Sequence, residues 1–512
     1  MIFAVVGILL LAFVGTPLFL ILSGSALLGF ASVGRPAADV TGEISKLVQW
    51  DTLITIPLFT FAGYLLAQSG APKRIVDVSK ALFGWMPGGM ALVTLITCAF
   101  FTTFTGASSI TIVALGGLLL PVLLQQKYPR SFSVGLVTTG GSRGLLFPPS
   151  LPVIIYGYVA GVDITRLYIA GIVPGLIDVT VIAILCIWTG VFKHVPRTAF
   201  DPRGAAKALL RAFPEVLIPV GVLAAIVSGA LKVPETAAVT ALYVLIVEVV
   251  INRDIHPIHD LPRVTKEAMI LCGVITVLIA GSLGLTNFLV DAHVPEALVA
   301  AIRSTIHSKW VFFIALNIFL LCVGALMDIF SAIVAVPLIL PLAMEYGIHP
   351  LHLGIIFLLN LEIAYSTPPV GLNLVISSFF FRQPILRLYR ASFPFLLVAL
   401  IVLAGVTYIE PLSTFTAPKG GATVEGGMVG SGQKKGAKAA PKAGAGPGTA
   451  AGKTAAPTID GICDPNLPDD PDCEEVIVED DDTEKKPEAK KPEPKKVEGK
   501  KEEGKKPGGK TD

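Results

Sequence analysis

Two proline pairs stand inside apolar sequence where an unbroken helix would otherwise run: Pro148-Pro149 in GGSRGLLFPPSLPVIIYG and Pro368-Pro369 in STPPVGLNLVISS. Proline removes a backbone donor and its ring clashes with the turn before it, so each pair ends one helical segment and starts another. Such a break leaves free carbonyls on one side and free amides on the other. Carbonyls suit a cation, and amides at a helix start suit an anion. Residues able to share that chemistry cluster nearby. Ser150, Thr367, Gly371 and Asn373 flank the breaks, Gly106, Ala107, Ser108 and Ser109 lie in FTGASSIT, and Asp328 lies in GALMDIFS. Arg143 is a charge within an apolar stretch, which marks it as functional with a partner to be named.

The two pairs are 220 residues apart, and the same offset carries Pro121 onto Pro341 and Ser108 onto Asp328. Segment boundaries follow it too, so residues 1–192 and 235–411 read as two copies of one unit. Residues 193–234, a basic loop and one further crossing, lie between them and turn the second copy upside down. Inverted repeats with interrupted helices are an architecture of secondary transporters, where the breaks meet near the bilayer midplane. Irregular backbone is tolerated there only where protein buries it or a wet cavity receives it.

The elements that position these residues are membrane helices. The chain has 512 residues, 53% hydrophobic and 15% charged, and nearly half of its charges follow residue 410. The rest holds eleven apolar runs, counted against the roughly 20 residues that one crossing needs. Residues 88–125 and 310–342 are too long for one crossing and too short for two. Each reads as a re-entrant hairpin, with tips at Gly106–Ser109 and Asp328, the second arm capped by Ser108 or Ser109 in one and by Asp328 in the other. Residues 131–162 and 352–381 read as the broken helices. The fold class expected is an all-α polytopic membrane protein, an inverted-repeat transporter of elevator type. The first run has no basic flank or cleavage site and reads as a retained helix.

Basic loops at residues 72–80, 127–130, 193–211, 252–266 and 382–390 fall on one side of this topology, which puts the N-terminus in the cytoplasm. Trp50, Trp85, Trp188 and Trp310 sit at segment ends, as interfacial tryptophans do. Residues 412–512 are Lys, Glu, Pro, Ala and Gly in low-complexity order and read as a disordered, periplasmic tail, within which Cys463 and Cys473 could pair. An intramembrane enzyme would require converging catalytic groups, and the sequence has no HExxH or CxxC spacing and no paired intramembrane aspartates. No enzyme activity, transition metal or nucleic-acid partner is expected. Cys98, Cys186, Cys272 and Cys322 read as packing residues.

Beyond these readings, GASSITIVALGGLLLP, FPPSLPVIIYGYVAGVDITRLYIAGIVPGL, LMDIFSAIVAVPLILPLAMEYGIHPLHLGIIFLLNLEIAYSTPPVGLNLVISS and IPLFTFAGYLLAQSG resemble the large permease (M) subunit of tripartite ATP-independent periplasmic (TRAP) transporters. The resemblance covers residues 1 to about 412. It implies a sodium-coupled elevator carrier in the bacterial inner membrane. Its partners would be a small (Q) membrane subunit, a periplasmic solute-binding protein and a small organic acid, with Na+ as coupling ion and no other cofactor. Carried over by position, sodium would be held near Gly106, Ala107, Ser108, Ser109, Pro148, Pro149, Thr367, Pro368, Pro369 and Gly371. Substrate would meet Ser108, Ser150, Asp328, Asn373 and Arg143. A stand-alone sodium or proton symporter of the same superfamily is the alternative. Arg143 departs from the family, which has an apolar residue there. It either meets a substrate carboxylate, bridges to Glu362 or Asp328, or snorkels toward the cytoplasm. Asp178 and Glu248 lie at membrane depth and receive no role.

Overall fold

The computed structural model describes residues 16–415, apart from 37, 39–40, 43–44, 46–50, 197–198 and 329–331, together with Gly7. The tail from residue 416, with Cys463 and Cys473, and Trp50 lie outside the described residues. Every regular element among the described residues is helical, and these residues belong to one compact unit. Six of the helices are long and apolar enough to cross a bilayer, and a seventh span results if Pro202–Arg211 and Phe213–Val227, bent by 67°, are taken as one.

The first copy runs α1 (Leu18–Ser32), α2 (Thr55–Gln68), α3 (Ala71–Phe83), α4 (Gly89–Thr105), α5 (Ser108–Gln125), α6 (Arg130–Gly140), α7 (Leu151–Ala160) and α8 (Ile164–Phe192). Helices α9 (Pro202–Arg211) and α10 (Phe213–Val227) link it to the second copy. That copy runs α11 (Val233–Leu245), α12 (Asp260–Asp291), α13 (Val294–Thr305), α14 (Lys309–Leu326), α15 (Val336–Glu345), α16 (Pro350–Ala364), α17 (Leu372–Phe381) and α18 (Ile385–Tyr408), and ends on α19 (Pro411–Thr414). Each element of the first copy has a counterpart of the same kind in the second. A further proline pair obeys the offset of 220: Pro174 lies inside α8 and Pro394 inside α18.

The copies interlock reciprocally. Helix α2 packs on α11 and α12, and α12 packs on α1. Nearer the centre, α4 packs on α6 and α14 on α16, while α5 packs on α17 and α15 on α7. Each hairpin thus lays its first arm on the broken helix of its own copy and its second arm on that of the other. Such reciprocity is what a pseudo-two-fold axis requires.

Apolar residues explain both surfaces. The interior is one continuous cluster that includes Phe59, Leu95, Leu119, Tyr168, Leu340 and Phe357. The outside is apolar as well: Ile184, Trp188, Phe192, Ile314, Ile318 and Ile401 are each more than half exposed. Soluble proteins rarely show a belt of this size, and a bilayer covers it. Trp85, Trp188 and Trp310 are exposed near helix ends.

Candidate functional site

At the first break α6 stops at Gly140 and α7 resumes at Leu151, and the Pro148-Pro149 bond between them is cis. Hairpin 1 holds this segment through its hydroxyls: Thr102 Oγ1 donates to the Gly141 carbonyl at 2.7 Å and Thr103 Oγ1 to that of Gly144 at 3.2 Å. Side-chain-free backbone makes the approach possible, because a Cβ at Gly144 would lie 2.1 Å from the Ala99 carbonyl oxygen. At the hairpin tip Gly106 takes φ +59, a left-handed conformation that closes the turn between α4 and α5.

Ser108 does not cap α5. The N-cap is Ala107, with no side-chain cap bond, and the Ser108 hydroxyl donates instead to Asn373 Oδ1 at 2.6 Å. That bond joins the tip of hairpin 1 to the start of α17 in the other copy. A tertiary partner has outcompeted the local amide. Asn373 holds its place through its own backbone, its N–H donating to the Tyr365 carbonyl across the second break.

The second break lies between α16 and α17, again with a cis Pro368-Pro369 bond, and Gly371 at φ +55 starts the new helix. Hairpin 2 meets it here: the Gly371 N–H donates to the Ala325 carbonyl at 3.0 Å, and the Tyr365 hydroxyl donates to Asp328 Oδ1 at 2.8 Å. The Ala332 N–H donates to the Asp328 carbonyl at 2.9 Å, and the start of this second arm, residues 329–331, where Asp328 was expected to cap it, lies outside the described residues. The two breaks also differ in exposure. Pro148, Pro149 and Ser150 are buried, whereas Pro368 and Pro369 are exposed and Thr367 is half-buried.

Between these segments lie buried polar atoms with no hydrogen-bond partner: Ser150 Oγ, Ser366 Oγ and Asn373 Nδ2. An unpaired buried polar atom costs about 1–3 kcal/mol, so such a group implies something that completes it. Hydroxyl oxygens and the carbonyls of the breaks are donors of the kind that a hard cation takes. The Asn373 amide and the amides that begin α7 and α17 are donors for a carboxylate. Among the described residues no cluster of three or more His, Cys, Asp or Glu could hold a metal ion. Ser109, on the first turn of α5, is half-buried and makes no part of the Ser108–Asn373 contact.

Arg143 turns elsewhere. Its Nη1 donates to Asp178 at 3.0 and 3.1 Å and lies 3.4 Å from Glu362 Oε1, while Nε donates to the Thr139 carbonyl at 3.2 Å. The three side chains are at most 2% exposed. This placement is the bridge to Glu362 rather than a snorkelling arginine, it leaves Nη2 buried without a hydrogen-bond partner, and Asp328 is bound to Tyr365 instead. Asp178, to which no role could be assigned from its position in the chain, is the closer of its two carboxylate partners. Next to it Ser142 Oγ donates to the Glu362 carbonyl at 3.1 Å. Residues 142 and 362 are 220 apart, and a residue touches its own counterpart only at the two-fold axis. The triad therefore sits on the axis and pins the first break to α8 and α16.

A second buried ion cluster went unnoticed in the sequence. Arg74 on α3 donates to Glu215 at 2.5 Å and to Glu248 at 2.9 Å, and also pairs with Asp254. Both glutamates are fully buried, and Asn252 Nδ2 adds a bond to Glu215 at 3.1 Å. The cluster fastens α3 to α10 and to the π-helical turn Ile246–Ile251 that follows α11.

Two interlocked inverted copies, each with a re-entrant hairpin meeting a broken helix at a polar centre, define an inverted-repeat membrane transporter. The fold is shared with the YdaH transporter of Alcanivorax borkumensis, at a TM-score of 0.51 and 15% identity over 75% of this chain and 89% of that one. Residues 2–412 match the family described as Tripartite ATP-independent periplasmic transporter, DctM component, and the chain belongs to that family. The C4-dicarboxylate TRAP transporter large permease protein DctM of Pseudomonas aeruginosa is 33% identical over 71% of this chain and 85% of its own length. The isethionate TRAP transporter permease protein DctMQ of Oleidesulfovibrio alaskensis is 30% identical, over 79% of this chain and 64% of its own length. The chain is thus a TRAP large permease subunit, a multi-pass membrane protein.

Proposed function

We propose that this permease imports a small organic acid across the bacterial inner membrane, driven by an inward sodium gradient. It would work with a small Q subunit and a periplasmic solute-binding protein that delivers the acid. The observation that carries this reading is the contact between Ser108 at the tip of hairpin 1 and Asn373 at the start of α17. It brings cation-type oxygens and anion-type amides into one centre, with the unpartnered Ser150, Ser366 and Asn373 atoms around it. Sodium, held by oxygens at Gly106–Ser108, the first break and Thr367, and a carboxylate, held by Asn373 and the helix-start amides, each favour the other's binding through their opposite charge. The names of the relatives, C4-dicarboxylate and isethionate permeases, are consistent with an acidic substrate.

Exposure of the second break and burial of the first support a structure open on one side. Exchanging these conformations between the copies would open the other side, which is alternating access by inverted repeats. The hairpins and broken helices would move together, elevator-fashion, against α1, α2, α11 and α12. The basic loops support an N-terminus in the cytoplasm.

The test is uptake into liposomes by the protein co-reconstituted with its Q subunit. A panel of organic acids is delivered with and without the binding protein, under an inward sodium gradient and without one. Uptake that requires both sodium and the binding protein is the expected result. Sodium-independent uptake would refute the coupling, and uptake indifferent to the binding protein would point to a stand-alone symporter.

A further inference from the structure

Where α6 and α18 begin, a cavity of about 240 Å³ is lined by Arg130, Ser131, Gln383, Arg387 and Arg390. Its floor is apolar, formed by Val134, Leu388 and Ala391, and no acidic residue lines it. Two other exposed arginines do have acidic partners: Arg35 pairs with Asp291, and Arg303 with Glu345. The three arginines of this cavity make no salt bridge among the described residues, and they converge on one space from two helices. Helix α6 starts at Arg130 and α18 at Ile385, so both helix ends add their free amides to the same side. The concentration of positive charge is costly without a counter-ion, and what fits it is a phosphate group, which arginine binds through paired N–H donors.

We infer that this cavity binds the phosphodiester headgroup of an anionic phospholipid. The choice of a lipid over a free phosphate rests on the helix that carries the site. Leu386, Arg390, Phe393 and Leu397 follow one another at spacings of four, three and four, so they share one face of α18. Leu386 is 70% exposed, Phe393 59% and Leu397 47%. Beyond Arg390 the outward apolar Phe393 and Leu397 continue the face, which is what a lipid presents in reverse, an anionic head followed by acyl chains. Both cavity walls also belong to basic loops, the side of the membrane where anionic headgroups attract arginine. The bound lipid would bridge the start of the first broken helix to that of α18. This inference is independent of the proposed substrate and coupling ion.

The test is thermal unfolding of the purified permease in detergent, titrated with phosphatidylglycerol, with phosphatidylcholine, and with inorganic phosphate at millimolar concentration. Phosphatidylglycerol should raise the apparent Tm in a saturable way and phosphatidylcholine should not. With each arginine contributing about fivefold, the variant R387Q/R390Q should bind the anionic lipid about thirtyfold more weakly. K193Q, in a different basic loop, should leave the lipid response unchanged. Should the glutamine variant fail to fold, R387K/R390K keeps the charge but loses the paired donors, and its weaker response serves the same purpose. An equal rise with inorganic phosphate would overturn the lipid assignment in favour of a free-anion site. A rise with both lipids alike, or one retained in full by R387Q/R390Q, would overturn the site altogether.

Discussion

Replacing Arg143 separates a structural guanidinium from one that binds substrate. At 3.0 Å the Arg143–Asp178 attraction is about 5 kcal/mol at an effective dielectric of about 20, and desolvating each ion costs several kcal/mol, so the intact pair is close to neutral for stability. Removing one partner is not neutral. Arg143→Leu leaves Asp178 and Glu362 facing each other without their cation, at most 2% exposed, and should cost about 3–5 kcal/mol. The triple variant R143M/D178L/E362M removes all the charge together. Buried ion triads replaced by apolar groups of similar volume commonly lose nothing, so most of the stability should return. The assay is apparent Tm in detergent beside sodium-driven uptake in liposomes for wild type, single and triple variants. The expected pattern is a low Tm and no uptake for Arg143→Leu, with recovery of both in the triple. A triple variant as stable as wild type but without uptake would refute the structural assignment and return Arg143 to the substrate.

Three other substitutions test the remaining geometry. Ser108→Ala strands a buried Asn373 oxygen, should cost about 1–3 kcal/mol, and should lower the stabilisation that sodium gives in a thermal-shift titration; an unaltered response would remove this contact from the site. Gly144→Ala should abolish uptake and lower expression, because its Cβ meets backbone at 2.1 Å, whereas Gly273→Ala, with nothing within 4 Å, should behave as wild type in both measurements. Arg74→Met leaves the buried Glu215 and Glu248 without their cation and should cost about 3–5 kcal/mol, read as a lower apparent Tm; Arg74→Lys should recover only part, since a single ammonium cannot reach all three carboxylates that the guanidinium now spans.

The architecture was legible because proline and glycine act on their own backbone. Pro148-Pro149 and Pro368-Pro369 break a helix whatever surrounds them, so the breaks and their spacing could be read without knowing any contact. Hydrophobic run length did the same for the hairpins, and the observed bounds of α4–α5 and α14–α15 lie close to residues 88–125 and 310–342. Side-chain partnerships are another matter, because they depend on which helices adjoin. Ser108 has the composition of a cap, yet Asn373, 265 residues away, takes its hydroxyl. Arg143 had four carboxylates at membrane depth to choose from, and nothing in the spacing of Asp178 marks it as the one on the neighbouring helix. Arg74 lies on an amphipathic helix in a basic loop, where an exposed arginine is the ordinary expectation, and its partners are scattered over three later segments.

Positions 142 and 362 were related by the repeat offset, and a pseudo-two-fold axis brings a residue into contact with its counterpart only where it passes through the chain. Ser142 and Glu362 meet, so the axis passes beside the first break, next to Arg143. Two residues further on, Gly144 lies flush on α4 of its own copy, and its counterpart Ala364 packs on Gly324 of α14 in the other. Symmetry gives both copies this close packing, but only residues 143 and 178 of the first copy carry the added charge pair, whose counterparts are Ile363 and Val398. The copies are therefore chemically unequal at the axis itself. A guanidinium that grips α8 and α16 at once ties the first break to both copies, whereas the second break has no such tie at the equivalent positions. That inequality runs in the same direction as the exposure of the prolines, buried in the tied break and open in the other, and it gives the two halves of an otherwise symmetric frame different freedom to move.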